Sequence, residues 1–179
     1  MPGRAKGVFG GGYAYYSVYK TKDGKQLSIG CTEPWLWNNV CDALDRPDWK
    51  DCGMKMGDFS GHSTERHQQV KQELQEILLT KTRDQWSDFF TKADVCVGKV
   101  YDVPEVFEDP QVKHRKMAVE LDHPQAGKVT HAGIAIKLSN TPGSIRTFAP
   151  ALGQHTEEVL GSVGFSTERI AALREKHIV

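Results

Sequence analysis

Apolar and polar positions change period several times along the chain, and each change marks an element. From Tyr13 to Lys20, aromatic and β-branched residues crowd together (Tyr13, Tyr15, Tyr16, Val18, Tyr19), which suits a pleated, half-buried surface and predicts a strand. Lys22-Asp23-Gly24 supplies turn chemistry, since Gly takes positive φ without steric cost and Asp tolerates it. The return run, Lys25 to Gly30, puts Leu27 and Ile29 on one side and Gln26 and Ser28 on the other, so an antiparallel hairpin follows. Pro34 is favoured at the first helical position, and Trp37, Val40, Cys41 and Leu44 recur as one apolar helical stripe. Thr32 or Glu33 is then the cap, and Glu33 sits at the positive end of the helix dipole, worth about 0.3–1 kcal/mol to a carboxylate.

Asp45 to Gly61 carries Pro47, Gly53, Gly57 and Gly61 among charges and reads as loop with one short helical turn near Trp49. Thr64 caps an amphipathic helix with Val70, Leu74, Ile77 and Leu78 inward and Glu65, Arg66, Lys71 and Glu73 toward solvent. Thr82, with Gln85 completing a capping box, opens a second helix that turns Trp86, Phe89 and Phe90 inward. Val95 to Val103 is a short strand broken by Gly98 and Lys99, and Pro104 to Glu108 begins a short helix that Asp109-Pro110 stops or restarts. Ala118 to Leu121 and Ile134 to Leu138 read as strands on either side of a turn-rich run, His123 to Gly133. Two short helices close the chain, Thr156 to Leu160 and a Ser166- or Thr167-capped Glu168 to Lys176. The expected class is α+β: a small antiparallel sheet with flanking helices, plus a short helical C-terminal tail.

Composition narrows the function classes. The 179 residues fit one domain or two small ones, able to bury about two-thirds of their unfolded surface. Lys and Arg total 23, as do Asp and Glu, and this balance argues against a nucleic-acid or membrane-surface partner. No run approaches the roughly 20 apolar residues of a membrane span, and residues 1–12 lack the apolar centre of a signal peptide, so the expected location is cytoplasmic. Cys31, Cys41, Cys52 and Cys96 have no C-x-x-C spacing and are expected as small buried hydrophobes, with no disulfide and no zinc site. His62 and His67 lie five apart, on different helix faces, which disfavours a two-histidine metal pair. Residues 126–128 lack the glycine spacing of a phosphate loop.

Several motifs carry a resemblance when taken together: a Gly-Gly pair, a strand ending Tyr-Lys-Thr, Lys-Asp-Gly-Lys, an apolar strand ending in Gly, and Glu33-Pro34 opening a Trp-containing helix. Val106 to Arg115, Asp122-His123-Pro124, Thr141-Pro142-Gly143, Ala149 to Thr156 and Gly164 to Leu173 continue the series. In this order they resemble the second half of the family III CoA-transferases, and within them the α-methylacyl-CoA racemase branch. No one motif is specific; the ordered set is.

The resemblance implies a CoA thioester as substrate, no covalently bound cofactor, and an acyl-CoA transferase or 2-methylacyl-CoA racemase. Members are about twice this length, and their catalytic aspartate, the racemase histidine and most CoA contacts belong to an N-terminal half with no counterpart here. The isolated chain is therefore expected to be inactive. Glu33 falls where the racemase branch has an acid that supports its catalytic histidine; a plain helix-capping role is the alternative. Gly10, Gly11 and Gly12 fall on a glycine segment that in some members covers the active site, though Gly is also what a sharp turn into a strand requires. The implied division is a lead-in (1–12) at the seam between large and small domains, a small α+β domain (13–140), and a tail (141–179) that packs on the large domain or a partner. Phe148, Leu152, Leu160 and Ile170 are the expected exposed apolar patch, to be covered by a separate N-terminal-half subunit or by homo-oligomerisation. A non-catalytic acyl-CoA-binding or dimerisation module is the other reading, and a structural domain of shared ancestry a third.

Overall fold

The computed structural model describes residues 7–55 and 63–179. The chain divides into two compact units, Met1–Glu105 and Val106–Val179, each described here by itself.

The first unit is organised by the hairpin. Strands β1 (Tyr16–Lys20) and β2 (Gln26–Gly30) pair antiparallel from Tyr16 opposite Gly30 to Lys20 opposite Gln26. A third strand, β3 (Val97–Val100), pairs antiparallel with β2, placing Ser28 opposite Gly98. The sheet order is β1-β2-β3. Alternation then decides the two faces. Tyr15, Tyr19, Leu27 and Ile29 are buried, while Tyr16 and Val18 stand on the open side. Among the described residues of this unit, helices cover the inner face, which is how an antiparallel sheet with one apolar side is satisfied.

Those helices form as their sequence signals require. Helix α1 (Pro34–Ala43) has Pro at its start and buries Trp37, Val40 and Cys41. A 3-10 turn, Pro47–Cys52, follows and buries Trp49. Helix α2 (Glu65–Leu78) opens on a full capping box in which Thr64 and His67 exchange hydrogen bonds, and it buries Val70, Leu74 and Leu78. Helix α3 (Arg83–Lys92) opens on the Thr82–Gln85 box and buries Trp86 and Phe90. These residues share one core with the inner face of the sheet. His62, half of the histidine pair considered above, lies outside the described residues. Arg66, Lys71 and Glu73, expected toward solvent, are half-buried and partnered.

Within the stretch read as a lead-in, Val8–Gly10 forms a 3-10 turn with Val8 buried. Helix α4 (Val103–Glu108) spans the division between the units.

The second unit holds helix α5 (Pro110–His114), capped by the Asp109 side chain, and a hairpin of β4 (Ala118–His123) and β5 (Gly127–Ala132). That hairpin corrects the sequence reading. The run from His123 to Gly133 is the turn and the second strand itself, with Val129 opposite Leu121, and 134–138 is not a strand. Register explains the difference: after a turn at residues 124–126, Val129 and Thr130 supply the β-branched positions that pair back onto Leu121 and Glu120, whereas Ile134 to Leu138 has no strand left to meet. Helices α6 (Thr156–Ser162) and α7 (Thr167–Glu175, capped by Ser166) close the chain. Ile170 is buried, which removes it from the expected exposed patch, because α7 packs with α6. Leu152 is fully exposed, and Phe148 stands edge-on to His123 with ring centroids 4.7 Å apart.

Among the described residues no helix is long and apolar enough to cross a membrane, and no group of three or more His, Cys, Asp or Glu converges as a metal site would.

Candidate functional site

The open face of the three-stranded sheet carries small residues across its middle. Tyr16, Gly30 and Cys96 form one row, since the Gly30 N–H donates to the Cys96 carbonyl at 3.0 Å, and Val18, Ser28 and Gly98 form the next. Side chains of this size leave a trough. The Ser28 hydroxyl donates to the Gly98 carbonyl at 3.0 Å, and a Cβ on Gly30 would meet nothing nearer than Cys96 Sγ at 3.7 Å. With the turn at Gly10 and Gly11 along one side and Phe9 edge-on to Tyr16 at 5.3 Å, the face becomes a concavity of about 740 Å³.

Helix α2 fixes the glycine turn from beneath. Lys71 Nζ donates to the Gly11 carbonyl at 2.5 Å, and Gln68 Nε2 donates to the Gly12 carbonyl at 2.8 Å. These donors sit three residues apart, one helical turn, so both reach the same strip of backbone. Burial holds the Lys71 ammonium below its ordinary pKa. Gly11 has φ of 80°, a left-handed conformation that costs an L-residue about 1–2 kcal/mol. Gly11→Ala is accordingly expected to lower stability by about 1–2 kcal/mol, read as a fall in the urea midpoint. An unchanged midpoint would mean that the turn relaxes freely.

Glu33 occupies the N-cap of α1, with φ −77° and ψ 133°. Its backbone carbonyl accepts from the N–H groups of Leu36 and Trp37, while its side chain makes no capping hydrogen bond. The carboxylate instead accepts from the Thr32 hydroxyl at 3.1 Å. Glu33 is half-buried, so a carboxylate is held at a helix N-terminus with room for another donor. Beside it, burial pushes the Cys31 thiol up to about 12, with smaller contributions from neighbouring Cys96 and Glu33; that thiol is a packing group, not a nucleophile.

Of the residues singled out from sequence, Gly10 and Gly11 line the concavity, Gly12 is tied beneath it, and Glu33 lies three residues beyond Gly30 without lining it. Two lining residues were misread. Lys71 was assigned to solvent, though it directly follows the stripe residue Val70 and so borders the buried face of the helix. Cys96 was assigned to the core but is exposed. Its neighbours Val95 and Val97 pack inward, so strict alternation turns Cys96 to the open face.

The second unit has its own concavity, about 990 Å³, whose lining includes His123, Phe148, Pro150, Gln154 and His155. The Gln125 and Ala126 N–H groups donate to His123 Nδ1 at 3.2 and 3.1 Å, which fixes the ring as its Nε2–H tautomer.

Comparison with known proteins gives these features a lineage. The chain is similar to formyl-CoA:oxalate CoA-transferase from Rhodopseudomonas palustris strain BisA53, 30% identical over 147 residues that cover 80% of this chain and 33% of the relative. It is also similar to the succinyl-CoA–L-malate CoA-transferase beta subunit from Chloroflexus aurantiacus, 30% identical over 172 residues, covering 90% and 40%. In fold it resembles a CAIB/BAIF family protein from Brucella suis, with TM-score 0.57 and 22% identity over 84% of this chain and 38% of that one. Rv3272 from Mycobacterium tuberculosis is similar at TM-score 0.57 and 17% identity, covering 80% and 40%. The chain thus spans a third to two-fifths of the length of these relatives. The sequence model for CoA-transferase family III matches residues 1–156, and the chain belongs to that family.

Proposed function

We propose that the chain is the C-terminal, small-domain part of an enzyme that moves CoA between carboxylic acids, with the reacting carboxylate and most CoA contacts supplied by a segment outside these 179 residues. One observation carries the reading: the family match runs through residues 1–156 of this chain, yet the chain accounts for only 33% of a relative named as a CoA-transferase. Transfer is favoured over isomerisation because the relatives described above bear transferase names. The chain's own contribution is to present the glycine turn, held by Lys71 and Gln68, and the Glu33 carboxylate on rigid supports. In this reading residues 13–140 are the small domain, 141–179 the segment that packs on the larger part, and the location is cytoplasmic.

Glu33 carries a second reading, α-proton exchange on a 2-methylacyl-CoA. A half-buried carboxylate with one hydroxyl donor is placed to orient a histidine from the missing part and to stabilise its cationic form.

The test uses the purified chain with and without the polypeptide encoded immediately upstream. Neither CoA exchange between formyl- or succinyl-CoA and the free acids, nor deuterium uptake α to the thioester, is expected from the chain alone. CoA exchange is expected from the pair. Turnover by the chain alone would end the proposal. Glu33→Gln separates the two chemistries: proton exchange should fall on the order of 100-fold, while CoA transfer should stay within about threefold. Equal losses in both would leave the Glu33 side chain a purely structural role.

A further inference from the structure

The concavity on the open sheet face has a chemical character of its own. Its floor is small (Ser28, Gly30, Gly98) and its walls include Tyr16 and Val18. Among the described residues no Asp or Glu lines it, and Lys71 brings the one cation found there. An ammonium has three donors, and among the described residues one of Lys71's is engaged, on the Gly11 carbonyl. The volume, about 740 Å³, falls within the roughly 300–1,000 Å³ of small-molecule sites. A single partly desolvated cation at the end of an apolar trough complements one anionic head with an apolar tail. A short dicarboxylate fits poorly, because its second charge would meet Tyr16, Val18 or the glycine floor, with no further cation among the described residues to offset desolvation.

We propose that this concavity binds an apolar monocarboxylate, its carboxylate on the Lys71 ammonium and its tail over the Ser28, Gly30 and Gly98 floor. The binding claim stands on the concavity; only the fate of the acid rests on the transferase reading above. In that reading the acid accepts CoA. The donor's C–S bond breaks, one oxygen of the acid passes to the donor acyl group, and a new C–S bond forms at the acid's carbonyl carbon. One thioester and one carboxylate are consumed and one of each is produced.

Octanoate, octan-1-ol and succinate serve as probes, titrated into the full chain and followed by calorimetry and by backbone amide shifts. Octanoate is expected to bind at least about tenfold more tightly than either of the others. Lys71→Gln keeps a donor for the Gly11 carbonyl but removes the charge; it should weaken octanoate about tenfold and leave octan-1-ol unchanged. Gly30→Val fills the floor at a position where a Cβ has only ordinary contacts, and it should abolish binding of both while unfolding remains cooperative. Equal binding of octanoate and octan-1-ol, tighter binding of succinate, or octanoate binding that survives Gly30→Val would each overturn the proposal. The two readings fail separately. Octanoate binding without CoA exchange by the reconstituted pair leaves the site and removes the transferase reading, whereas CoA exchange without octanoate binding does the reverse.

Discussion

Trp37→Ala is expected to destabilise the first unit by about 3–5 kcal/mol, a large share of the about 5–15 kcal/mol that holds a typical domain together. Trp37 is completely buried and stacks on Trp49 with ring centroids 6.4 Å apart at 15°. Its indole N–H donates to the Trp49 carbonyl at 2.9 Å, and the Trp49 indole in turn donates to Glu73 Oε2 at 3.1 Å. One side chain thus joins α1, the 3-10 turn and, through Trp49, α2. Gly53 closes the other side: a Cβ there would lie 2.7 Å from the Trp37 ring, so the neighbouring backbone is moulded to this residue and collapses poorly onto a cavity. The loss should appear as a lower urea midpoint with unchanged slope. Trp37→Phe keeps an aromatic body but orphans the Trp49 carbonyl, and should cost about 1–3 kcal/mol. A loss under about 1 kcal/mol for Trp37→Ala would show that α1 is not anchored here.

The second large effect concerns Arg83, buried to 3% exposure. Its guanidinium grips Glu105 with two hydrogen bonds, at 2.8 and 2.9 Å, and donates to the Val100 carbonyl at 2.7 Å. Nε is buried without a hydrogen-bond partner among the described residues, with Asp84 Oδ1 3.7 Å away. Lys25 of the hairpin reaches the same Glu105 carboxylate at 2.6 Å, and Asp23 in the hairpin turn accepts from the Arg83 N–H at 3.2 Å. The cluster ties hairpin, α3, β3 and α4 together. Arg83→Met preserves the apolar stem but removes the donor to the Val100 carbonyl and leaves Glu105 with only Lys25 and the Asp102 N–H, for an expected cost of about 1.5–3 kcal/mol.

A pH signature accompanies this. The Arg83 and then the Lys25 hydrogen bonds hold the Glu105 carboxyl well below the usual carboxylate range, so folding favours its charged form. That stabilisation is complete above the unfolded value of about 4.3 and is lost as pH falls below it toward the lower folded value. Asp48, held down to about 2 chiefly by its hydrogen bond from Arg46, acts in the same direction. Thermal midpoints should therefore fall most steeply below about pH 4.3, after a smaller decline that begins below about pH 6.5 because burial holds the His67 pKa down. Glu105→Gln should flatten part of that acid limb; a limb as steep as the parent's would place the titrating carboxylates elsewhere.

Local signals in the sequence were strong where neighbours along the chain decide the outcome. The hairpin, the Pro34 start of α1, the Thr64 cap and the Thr82–Gln85 capping box each depend on residues within four positions of one another and are legible in the sequence, while the choice between Ser166 and Thr167 falls to Ser166. The hairpin β4–β5 was misplaced because the choice of partner for Ala118 to Leu121 is a matter of register, which Val129 and Thr130 win over Ile134 to Leu138 only when pairing is considered. Cys96 and Lys71 were misplaced for a related reason: an apolar neighbour run and a helical stripe say which side of an element is buried, but not what lies at its border.

By itself the sequence determined the family, the elements of the first unit and most of its core, because periodicity, caps and turn residues act over a few positions and an ordered series of motifs survives where no single one is distinctive. Only the tertiary structure decided that β3 adds to the far edge of β2, that the open face of the sheet is floored by glycine and serine, and that Lys71 bends back to the Gly11 carbonyl. Each of these joins residues about 60 to 70 positions apart, a distance over which no local pattern carries information and only the packing of the core fixes who meets whom.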